Sequence, residues 1–329
     1  MKLSIVIICW NDLKVIGDCL KSIYAETHSP DFEVIVSDNG STDGSIEFIH
    51  KNYPSARVLE NCANLGFAKG NNVGIRSGRG EYVLILNPDT IIHEGALDKL
   101  VRFADRHPEA GGFGCRTLNP DGSYQVSMRP FPTVKRHWLA ALYLRSLARV
   151  SRRFLADEYP WWNVDSECSV DWLSGHCVMF RGDLLRQLNG FDEQFFYHFE
   201  EVDLCRRVWK AGFSVLFTPE AVITHIGGQS VARFPIRFEL EKLRNRYRYF
   251  YKHFGAIGCR RCRVAIQAWF RIRQIGYSLV NLFKSSEALR KRLDMYRIVI
   301  AWNTQLRPDL FVESGEEPAI GTDAVPQSL

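Results

Sequence analysis

The chain has 329 residues, of which 46% are hydrophobic, and a formal net charge of +5. This is enough apolar material for a large core, and the length allows two domains. The longest apolar runs are shorter than the roughly 18 residues that span a membrane, and the first run is too short for a secretory signal. Nine cysteines without framework spacing, two of them in an isolated CxxC at Cys259 and Cys262, favour reduced thiols in the cytoplasm over a disulfide scaffold or a zinc site.

Three short apolar runs near the start of the chain predict strands. They cover residues 3–10, 33–37 and 82–86, and a helical pattern through Tyr24 follows the first run. Strands that alternate with helices are typical of a parallel, doubly wound α/β sheet, in which ligands bind beyond the carboxyl ends of the strands. The polar clusters DNGSTDGS and NPDT follow the second and third runs. We therefore expect the binding site at these strand ends.

Two segments near these strand ends have the composition of ligand-binding loops. Asp38 and Asn39 open the first polar cluster, where a carboxylate could accept a hydrogen bond from a ring N–H group. The alternative is an ordinary Asx turn, which the same residue types form readily. Residues 64–75, NLGFAKGNNVGI, combine glycines that permit close backbone approach with amide side chains. This segment could equally be an ordinary junction between a loop and a helix.

An aromatic-rich loop at residues 191–199 leads directly into three acids, Glu200, Glu201 and Asp203, at the start of a predicted helix. A helix N-terminus stabilises carboxylates, and partial burial beside aromatic rings raises a carboxyl pKa toward the range of a general base. Glu200 and Asp203 share one helical face and Glu201 points about a quarter-turn away, so spacing alone does not identify a base. The alternative is a surface helix with a charged first turn.

Positive charge is concentrated late in the chain. Residues 231–310 contain 18 Lys and Arg against 5 Asp and Glu, in a helical pattern with aromatic stripes. Basic amphipathic helices bind anionic lipid surfaces, and the alternative is a packed helical subdomain with solvated arginines. Residues 311–329 have the polar composition of a disordered tail.

Six motifs in order resemble those of the inverting family 2 glycosyltransferases, and most of all the bacterial rhamnosyltransferases that use dTDP-L-rhamnose. They are SIVIICWN, VSDNGSTDGS, NLGFAKGNNVGI, LNPDT, GFDEQFFYHFEEVDLC and THIGG, and the resemblance covers roughly residues 1–255. It implies a GT-A fold, a Rossmann-like, mostly parallel sheet flanked by helices, with a C-terminal helical extension. We expect a catalytic domain over residues 1–230, with a nucleotide-sugar half to about residue 115 and an acceptor half from about residue 116. The basic extension, 231–310, and the tail follow.

The resemblance also implies the donor side of the site. It places Asp38 against the pyrimidine ring, Asn39 near the ribose and Asn72 in contact with the donor. Asn87 and Asp89 match the family's metal-binding Asp-x-Asp motif, with Asn87 in place of the first acid. One carboxylate, substrate phosphates and water are a typical environment for Mg²⁺.

The same resemblance assigns roles to His225 and Glu201, while Trp172 and His176 are placed by their position on the segment before the predicted helix. His225 matches a histidine that some relatives use as a further metal ligand, which would favour Mn²⁺ somewhat over Mg²⁺; the alternative is a histidine with no ligand role. Glu201 falls on the family's catalytic acid, which removes the proton of an acceptor hydroxyl. Trp172, His176 and Glu200 are expected on the acceptor side, although Trp172 and His176 could instead be structural.

The implied enzyme moves L-rhamnose from its nucleotide-sugar donor to a glycan or lipid-linked acceptor in bacterial cell-surface polysaccharide synthesis. It would work in the cytoplasm or on the anionic inner face of the cell membrane. The alternatives are a UDP- or GDP-sugar donor and an inactive scaffold. A dinucleotide-binding enzyme would need a GxGxxG after the first strand, and a nucleic-acid-binding protein would not explain the acids at the strand ends. We expect residues 130–162 and the C-terminal helices to select the acceptor.

Overall fold

The computed structural model describes residues 1–28, 31–144, 164–227 and 235–306. The chain divides into two units, Met1–Phe131 with Trp161–Arg233, and Pro132–Pro160 with Phe234–Leu329. The first unit is α/β and the second is helical in its described residues. The domain limits predicted at residues 230 and 310 stay a prediction, and the predicted disordered tail lies outside the described residues.

The first unit is built on a ten-stranded sheet in which the strands of the first half are parallel. Its order is β3-β2-β1-β4-β11-β6-β12-β5, with β7 on β6 and β9 on β12, while β8 and β10 form a separate pair. The strands are β1 (Leu3–Cys9), β2 (Phe32–Asp38), β3 (Arg57–Glu60), β4 (Tyr82–Leu86), β5 (Thr90–Ile92), β6 (Ala110–Leu118), β7 (Tyr124–Gln125), β8 (Met128–Arg129), β9 (Cys168–Ser169), β10 (Trp172–Leu173), β11 (Cys177–Arg181) and β12 (Ser214–His225).

The three strands predicted from the sequence lie side by side in this sheet. β1 runs parallel to both β2 and β4, and Ile5 is opposite Val34 on one side and Leu84 on the other. Alternate residues of β1 pack into different hydrophobic clusters. Ile5 and Ile7 belong to the cluster on one face of the sheet, and Val6 belongs to the cluster on the other face. Because β1 is buried on both faces, its sequence is a continuous apolar run rather than an alternating one. The predicted mostly parallel α/β fold is confirmed.

Helices cover both faces of the sheet. α1 (Leu13–Glu26), α2 (Ser45–Asn52) and α4 (Ala96–Arg106) bury side chains in the cluster that contains Ile5. α3 (Gly66–Ser77), α6 (Gly182–Gln187) and α7 (Glu200–Lys210) do so in the cluster of Val6. Gly70 and Gly74 let α3 approach β1 closely, because a Cβ atom at either position would overlap Ile8 or Val6. This close approach sets the position of the Gly-rich segment at the edge of the site.

The second unit contains α5 (Val134–Ala141), α8 (Pro235–Phe283) and α9 (Glu287–Gln305). α8 is kinked at Gly255, whose φ of 67° and ψ of −174° are not helical. α8 and α9 are antiparallel, since Tyr247 stacks on Trp302 and Phe270 contacts Tyr296. Among the helices of residues 1–28, 31–144, 164–227 and 235–306, none combines the length and the apolar character needed to cross a membrane.

Candidate active site

Strand β12 brings the predicted metal ligands together. The sequence indicates a strand only over residues 214–218, but a register shift within the strand allows β12 to continue as far as His225. His225 lies opposite Thr90 of β5, which directly follows Asp89 in the chain. The longer strand therefore carries His225 to the polar residues that follow β4.

Asp89 and His225 form the first of two acidic centres. Oδ1 of Asp89 lies 3.2 Å from Nε2 of His225, and its Oδ2 accepts a hydrogen bond of 3.0 Å from the N–H group of Gly227. The side-chain nitrogen of Asn87 lies 3.3 Å from the same Nε2. Burial alone would raise the pKa of Asp89, but the contact with His225 and the hydrogen bond from Gly227 outweigh it and hold that pKa below its ordinary value. Asp89 is therefore an anion at neutral pH.

Two further side chains, Gln125 and His176, contact the His225 ring. Oε1 of Gln125 lies 2.7 Å from its Nδ1. The ring of His176 stacks on it with centroids 4.4 Å apart and 12° between the planes, and Nε2 of His176 lies 2.9 Å from the hydroxyl of Thr117. Burial lowers the pKa of His176 to about 3, so this second ring is neutral near pH 7. His176, predicted on the acceptor side, thus packs directly against the predicted metal ligand.

The donor atoms of this centre fit a hard divalent cation. In the part of the chain that the structure describes, no three His, Cys, Asp or Glu side chains form a metal-binding group. Asp89 and His225 supply two donors from neighbouring segments. Two protein ligands suit Mg²⁺ or Mn²⁺ when substrate phosphates and water complete the coordination shell.

The second acidic centre is the start of α7. Glu200 and Glu201 are only 3% and 8% exposed, and across the described residues Oε2 of each carboxylate is buried without a hydrogen-bond partner. Burial raises the pKa of Glu201 to about 7. Burial and the charge of Glu201 raise the pKa of Glu200 well above its ordinary value. A carboxylate that titrates near neutral pH is suited to accept a proton from a substrate.

Asp203, the third acid of α7, has a different environment. It is fully buried, and its Oδ2 accepts a hydrogen bond of 2.7 Å from Nε of Arg207. The same guanidinium donates to the main-chain oxygens of Leu188 and Gly190, each at 2.7 Å. Asp203 and Arg207 therefore tie the start of α7 to the chain that precedes the aromatic loop.

The aromatic loop, residues 191–199, ends in an unusual backbone conformation. His198 and Phe199 have φ angles of 66° and 75°, which side chains other than glycine rarely adopt. Each such residue costs on the order of 1–3 kcal/mol, and such strain is concentrated at functional sites. Here it directs the chain so that Glu200 and Glu201 enter the interior in the first turn of α7.

Tyr197 and Arg129 connect the two acidic centres. Burial raises the pKa of Tyr197. The charges of three carboxylates raise it further, those of Glu200, Glu201 and Asp89. The phenol therefore lies within electrostatic range of all three carboxylates. The charge of Arg129 acts in the opposite direction on Glu201 and lowers its pKa. Both acidic centres therefore lie within electrostatic range of the same phenol.

The predicted donor residues at the end of β2 form a tight turn. Oδ2 of Asp38 accepts a hydrogen bond of 3.0 Å from the N–H group of Gly40, which is the Asx turn that the sequence allows. Asn39 donates to the main-chain oxygen of Gly66 at 3.1 Å and accepts from the amide of Asn61 at 3.0 Å. The turn is thereby held rigidly against the start of α3. Contact of Asp38 and Asn39 with a donor stays a prediction.

Asn72 of α3 faces the aromatic loop. Its Oδ1 accepts from the N–H group of Phe191 at 2.8 Å, and its Nδ2 donates to the main-chain oxygen of Phe191 at 2.8 Å and to Glu193 at 3.1 Å. In this arrangement the buried amide fixes the position of the loop, and direct contact of Asn72 with a donor stays a prediction. Trp172 donates from Nε1 to the main-chain oxygen of Pro130 at 2.9 Å. Its predicted acceptor role is likewise untested, since residues 145–162 of the adjoining segment lie outside the described residues.

Comparison with known proteins identifies the family. Residues 2–248 match the family model described as glycosyltransferase like family 2. The chain is a family 2 glycosyltransferase. Its relatives include the N-acetylglucosaminyl-diphospho-decaprenol L-rhamnosyltransferase of Mycobacterium tuberculosis, 33% identical over 234 residues, which are 66% of this chain and 73% of the relative. They also include rhamnosyltransferase WbbL of Escherichia coli strain K12, 24% identical over 212 residues, which are 61% and 76% of the two chains.

Solved structures place the enzyme among the GT-A glycosyltransferases. The mannosyltransferase PcManGT of Pyrobaculum calidifontis, solved with GDP-Man and Mn²⁺, has a TM-score of 0.55 at 15% identity, with 92% of this chain and 88% of that one covered. S. aureus TarS 1-349, solved with UDP-GlcNAc, has a TM-score of 0.53 at 18% identity, with 95% and 84% covered. At these identities the likeness shows the fold alone. The predicted GT-A fold and the predicted enzyme class are confirmed.

Three residues beside the predicted site residues, Gln125, Arg129 and Tyr197, are absent from the sequence-based expectations. Tyr197 lies in the predicted aromatic loop, but its proximity to three carboxylates depends on the positive φ angles at the end of that loop. Gln125 and Arg129 lie on β7 and β8, each only two residues long and too short for a periodic pattern. The Pro-Asp-Gly signal at residues 120–122 indicates the turn before β7, but not the side chain that the turn positions.

Proposed function

We propose that this enzyme transfers L-rhamnose from dTDP-L-rhamnose, with inversion at the anomeric carbon, to a hydroxyl group of a glycan or lipid-linked acceptor in bacterial cell-surface polysaccharide synthesis. The observation that chiefly supports an active transferase is the buried carboxylate of Glu201. In the described structure its Oε2 has no hydrogen-bond partner, and its pKa is raised by burial to about 7. Two relatives named rhamnosyltransferases support the choice of donor.

Glu201 acts as the general base. Its carboxylate takes the proton of the acceptor hydroxyl while that oxygen forms a bond to the anomeric carbon of the donor. The bond from the anomeric carbon to the diphosphate breaks on the opposite face, and dTDP leaves with the bonding electron pair. Glu200, whose pKa is raised well above its ordinary value by burial and by the charge of Glu201, lies next to the base on the acceptor side. Trp172 and His176 complete the acceptor side, His176 through its contact with His225.

Asp89 and His225 would hold the divalent cation. When bound, the cation neutralises the negative charge that develops on the leaving diphosphate. Asn87, whose amide nitrogen lies 3.3 Å from Nε2 of His225, remains within reach of the same phosphates. Asp38, with Asn39 beside it, binds the nucleoside through the rigid turn at the end of β2. The contact between α3 and the aromatic loop through Asn72 positions the donor side against the base.

The donor is tested by binding and transfer with dTDP-, UDP- and GDP-sugars in the presence of Mg²⁺ or Mn²⁺. We expect dTDP-L-rhamnose to bind most tightly, and its binding to depend on the cation. A preference for a UDP- or GDP-sugar would replace the rhamnosyl assignment and leave the transferase mechanism in place. If a donor binds in a cation-dependent way but is neither transferred nor slowly hydrolysed, an inactive scaffold is favoured.

For the acceptor we propose a sugar linked to a polyprenyl diphosphate, in keeping with the name of the M. tuberculosis relative. The second unit supports a lipid-linked substrate, because the end of α8 has an exposed apolar face. Four exposed apolar side chains recur there at helical spacing: Ile275 (63% exposed), Leu279 (56%), Leu282 (76%) and Phe283 (90%). Exposed basic residues lie nearby in the chain: Arg271 on α8, Lys284 directly after it, and Arg290 and Lys291 in the first turns of α9. An apolar face with basic residues nearby fits an anionic bilayer surface.

Cosedimentation with lipid vesicles tests this surface. We expect binding to vesicles that contain phosphatidylglycerol, and release as salt rises, because exposed charge attraction is screened. The double variant Leu282→Ser, Phe283→Ser should bind more weakly. Ile257→Ser is the matched control, since Ile257 is 59% exposed on the same helix and lies roughly 39 Å from Phe283 along α8. Equal binding to neutral and anionic vesicles, or none, would favour a packed helical subdomain.

A further inference from the structure

A tight turn places Gln125 beside His225. Oδ1 of Asp121 accepts a hydrogen bond of 2.9 Å from the N–H group of Ser123, and Gly122 adopts a φ of 82°. The chain then enters β7, where Gln125 pairs with Thr117 of β6. In this position Gln125 reaches the end of β12, although it belongs to none of the sequence motifs of the site.

The surroundings of Gln125 determine how its amide is oriented. Its Nε2 lies 3.1 Å from the main-chain oxygen of His225 and 2.8 Å from Oδ1 of Asn119. A main-chain oxygen can only accept hydrogen bonds, so the NH₂ group must face it. The amide oxygen Oε1 consequently faces Nδ1 of His225, at 2.7 Å.

This orientation selects one tautomer of His225. Since an amide oxygen can only accept, Nδ1 must carry a hydrogen, and in the neutral ring the lone pair is then on Nε2. Nε2 lies 3.3 Å from the side-chain nitrogen of Asn87, which can only donate and so fits this lone pair, and 3.2 Å from Oδ1 of Asp89. Two acceptor atoms at this distance repel each other unless a proton or a cation lies between them. The stacked ring of His176 holds the plane of His225 in this orientation.

We propose that Gln125 is a positioning residue, which fixes His225 in the tautomer with hydrogen on Nδ1 and so directs the Nε2 lone pair, together with Asp89, toward a divalent cation. The cation rests on the proposed function, whereas the tautomer does not. Partners of this kind behind a metal-binding histidine set its orientation and its basicity as a ligand. The two parts can be measured separately.

Nitrogen NMR of the metal-free enzyme at mildly alkaline pH tests the tautomer, with His225→Ala used to assign the signals. We expect hydrogen on Nδ1 in the wild type. In Gln125→Leu it should move toward Nε2, where Asp89 becomes the remaining acceptor. Gln125→Glu keeps an acceptor oxygen and should retain the wild-type tautomer. A wild-type ring with hydrogen on Nε2, or a Gln125→Leu ring unchanged from wild type, would overturn the proposal.

Calorimetric titration of Mn²⁺ in the presence of dTDP tests the link to the cation. Gln125→Leu should weaken Mn²⁺ binding about 10–100-fold, as is usual for the loss of such a partner, and Gln125→Glu should weaken it less. Asn119→Ala is the matched control, because it leaves the bond between Gln125 and the main chain in place; its effect should be small. In the His225→Ala background, Gln125→Leu should have no further effect.

The outcomes separate the two proposals. If Gln125→Leu changes the tautomer but neither it nor His225→Ala changes Mn²⁺ affinity, the link between Gln125 and the cation is overturned, together with the assignment of His225 as a ligand. If His225→Ala weakens Mn²⁺ binding and Gln125→Leu does not, the ligand assignment stands and the positioning role is overturned. Melting curves for every variant show whether it is folded.

Discussion

The two acidic centres of this glycosyltransferase contain the same chemical group in opposite environments. Asp89 receives a hydrogen bond from Gly227 and contacts His225, and the two together hold its pKa below the ordinary value. Glu200 and Glu201 are buried at the start of α7, and their pKa values are raised. A carboxylate that is hydrogen-bonded in its ionised form stays charged and suits a cation. A desolvated carboxylate gains affinity for a proton and suits a base.

The contrast teaches that burial alone does not assign a role to an acid. Asp89 and Glu201 are each 8% exposed, yet their pKa values shift in opposite directions. The difference is that contact with His225 and Gly227 outweighs burial at Asp89, whereas burial outweighs the main-chain hydrogen bonds at Glu201. The same distinction separates Asp203, which is fully buried but bonded to Arg207, from the two glutamates beside it. Perturbing each centre in turn should therefore produce different kinds of defect.

The largest effect is expected at Glu201. Glu201→Gln keeps the size of the side chain but cannot take a proton, so turnover should fall by roughly 10²–10⁴-fold while donor affinity stays nearly unchanged. Glu200→Gln is the matched control, next in the chain and equally buried, and should cost less. Turnover and donor affinity are measured for both variants. If Glu200→Gln is inactive while Glu201→Gln works normally, the base is Glu200.

The next effect is expected at Asp89. Asp89→Ala should abolish transfer and weaken donor binding in the presence of Mg²⁺ or Mn²⁺ by about tenfold or more, which corresponds to roughly 1.4 kcal/mol or more. Binding without a cation should change little. Glu94→Ala is the control, since Glu94 is an exposed acid that follows the same segment of chain. Calorimetry with and without the cation gives the answer, and equal cation dependence in Asp89→Ala and wild type would remove Asp89 from the cation site.

The pH profile should distinguish the centres further. Glu201 must be ionised to accept a proton and its pKa is about 7, so turnover should rise about tenfold per pH unit below 7 and level off above it. The charge of Arg129 lowers the pKa of Glu201, so Arg129→Gln should move this rise to higher pH. Initial rates across the pH range measure both. A rise at the same pH in Arg129→Gln and wild type would mean that another group is being titrated.

Much of the sheet follows from the sequence. The central strands β1, β2 and β4 are continuous apolar runs because both faces are covered by helices, and that physical cause is visible in the pattern. The far part of β12 is not visible, because Pro219 and Glu220 interrupt the apolar run where the register shifts. The meeting of Asp89 with His225 therefore follows from family resemblance rather than from periodicity.

The acids of α7 show the same limit. Helical geometry predicts which of them share a face, but it does not predict that Glu200, Glu201 and Asp203 are all buried. Their burial depends on the loop that ends in His198 and Phe199, and positive φ angles at such residues are not indicated by residue type. Likewise, the sequence contains Gln125 but gives no sign that a two-residue strand places it against His225.

The smallest effect is on stability, and its sign should differ between neighbouring acids. The folded-state pKa of Glu201 is raised from 4.5 to about 7, so the folded protein holds this proton more tightly than the unfolded chain does. Stability is therefore lost as pH rises between these values, and Glu201→Gln should raise the melting temperature above pH 7 by a few degrees and leave it nearly unchanged below pH 4.5. Asp203→Asn weakens the bond to Arg207 and should instead lower stability, by about 1–3 kcal/mol. Melting curves of both variants and of wild type, below pH 4.5 and above pH 7, measure the two effects. A Glu201→Gln variant that is less stable than wild type above pH 7 would show that this carboxylate is satisfied in the fold, and the contrast between the two centres would then fail.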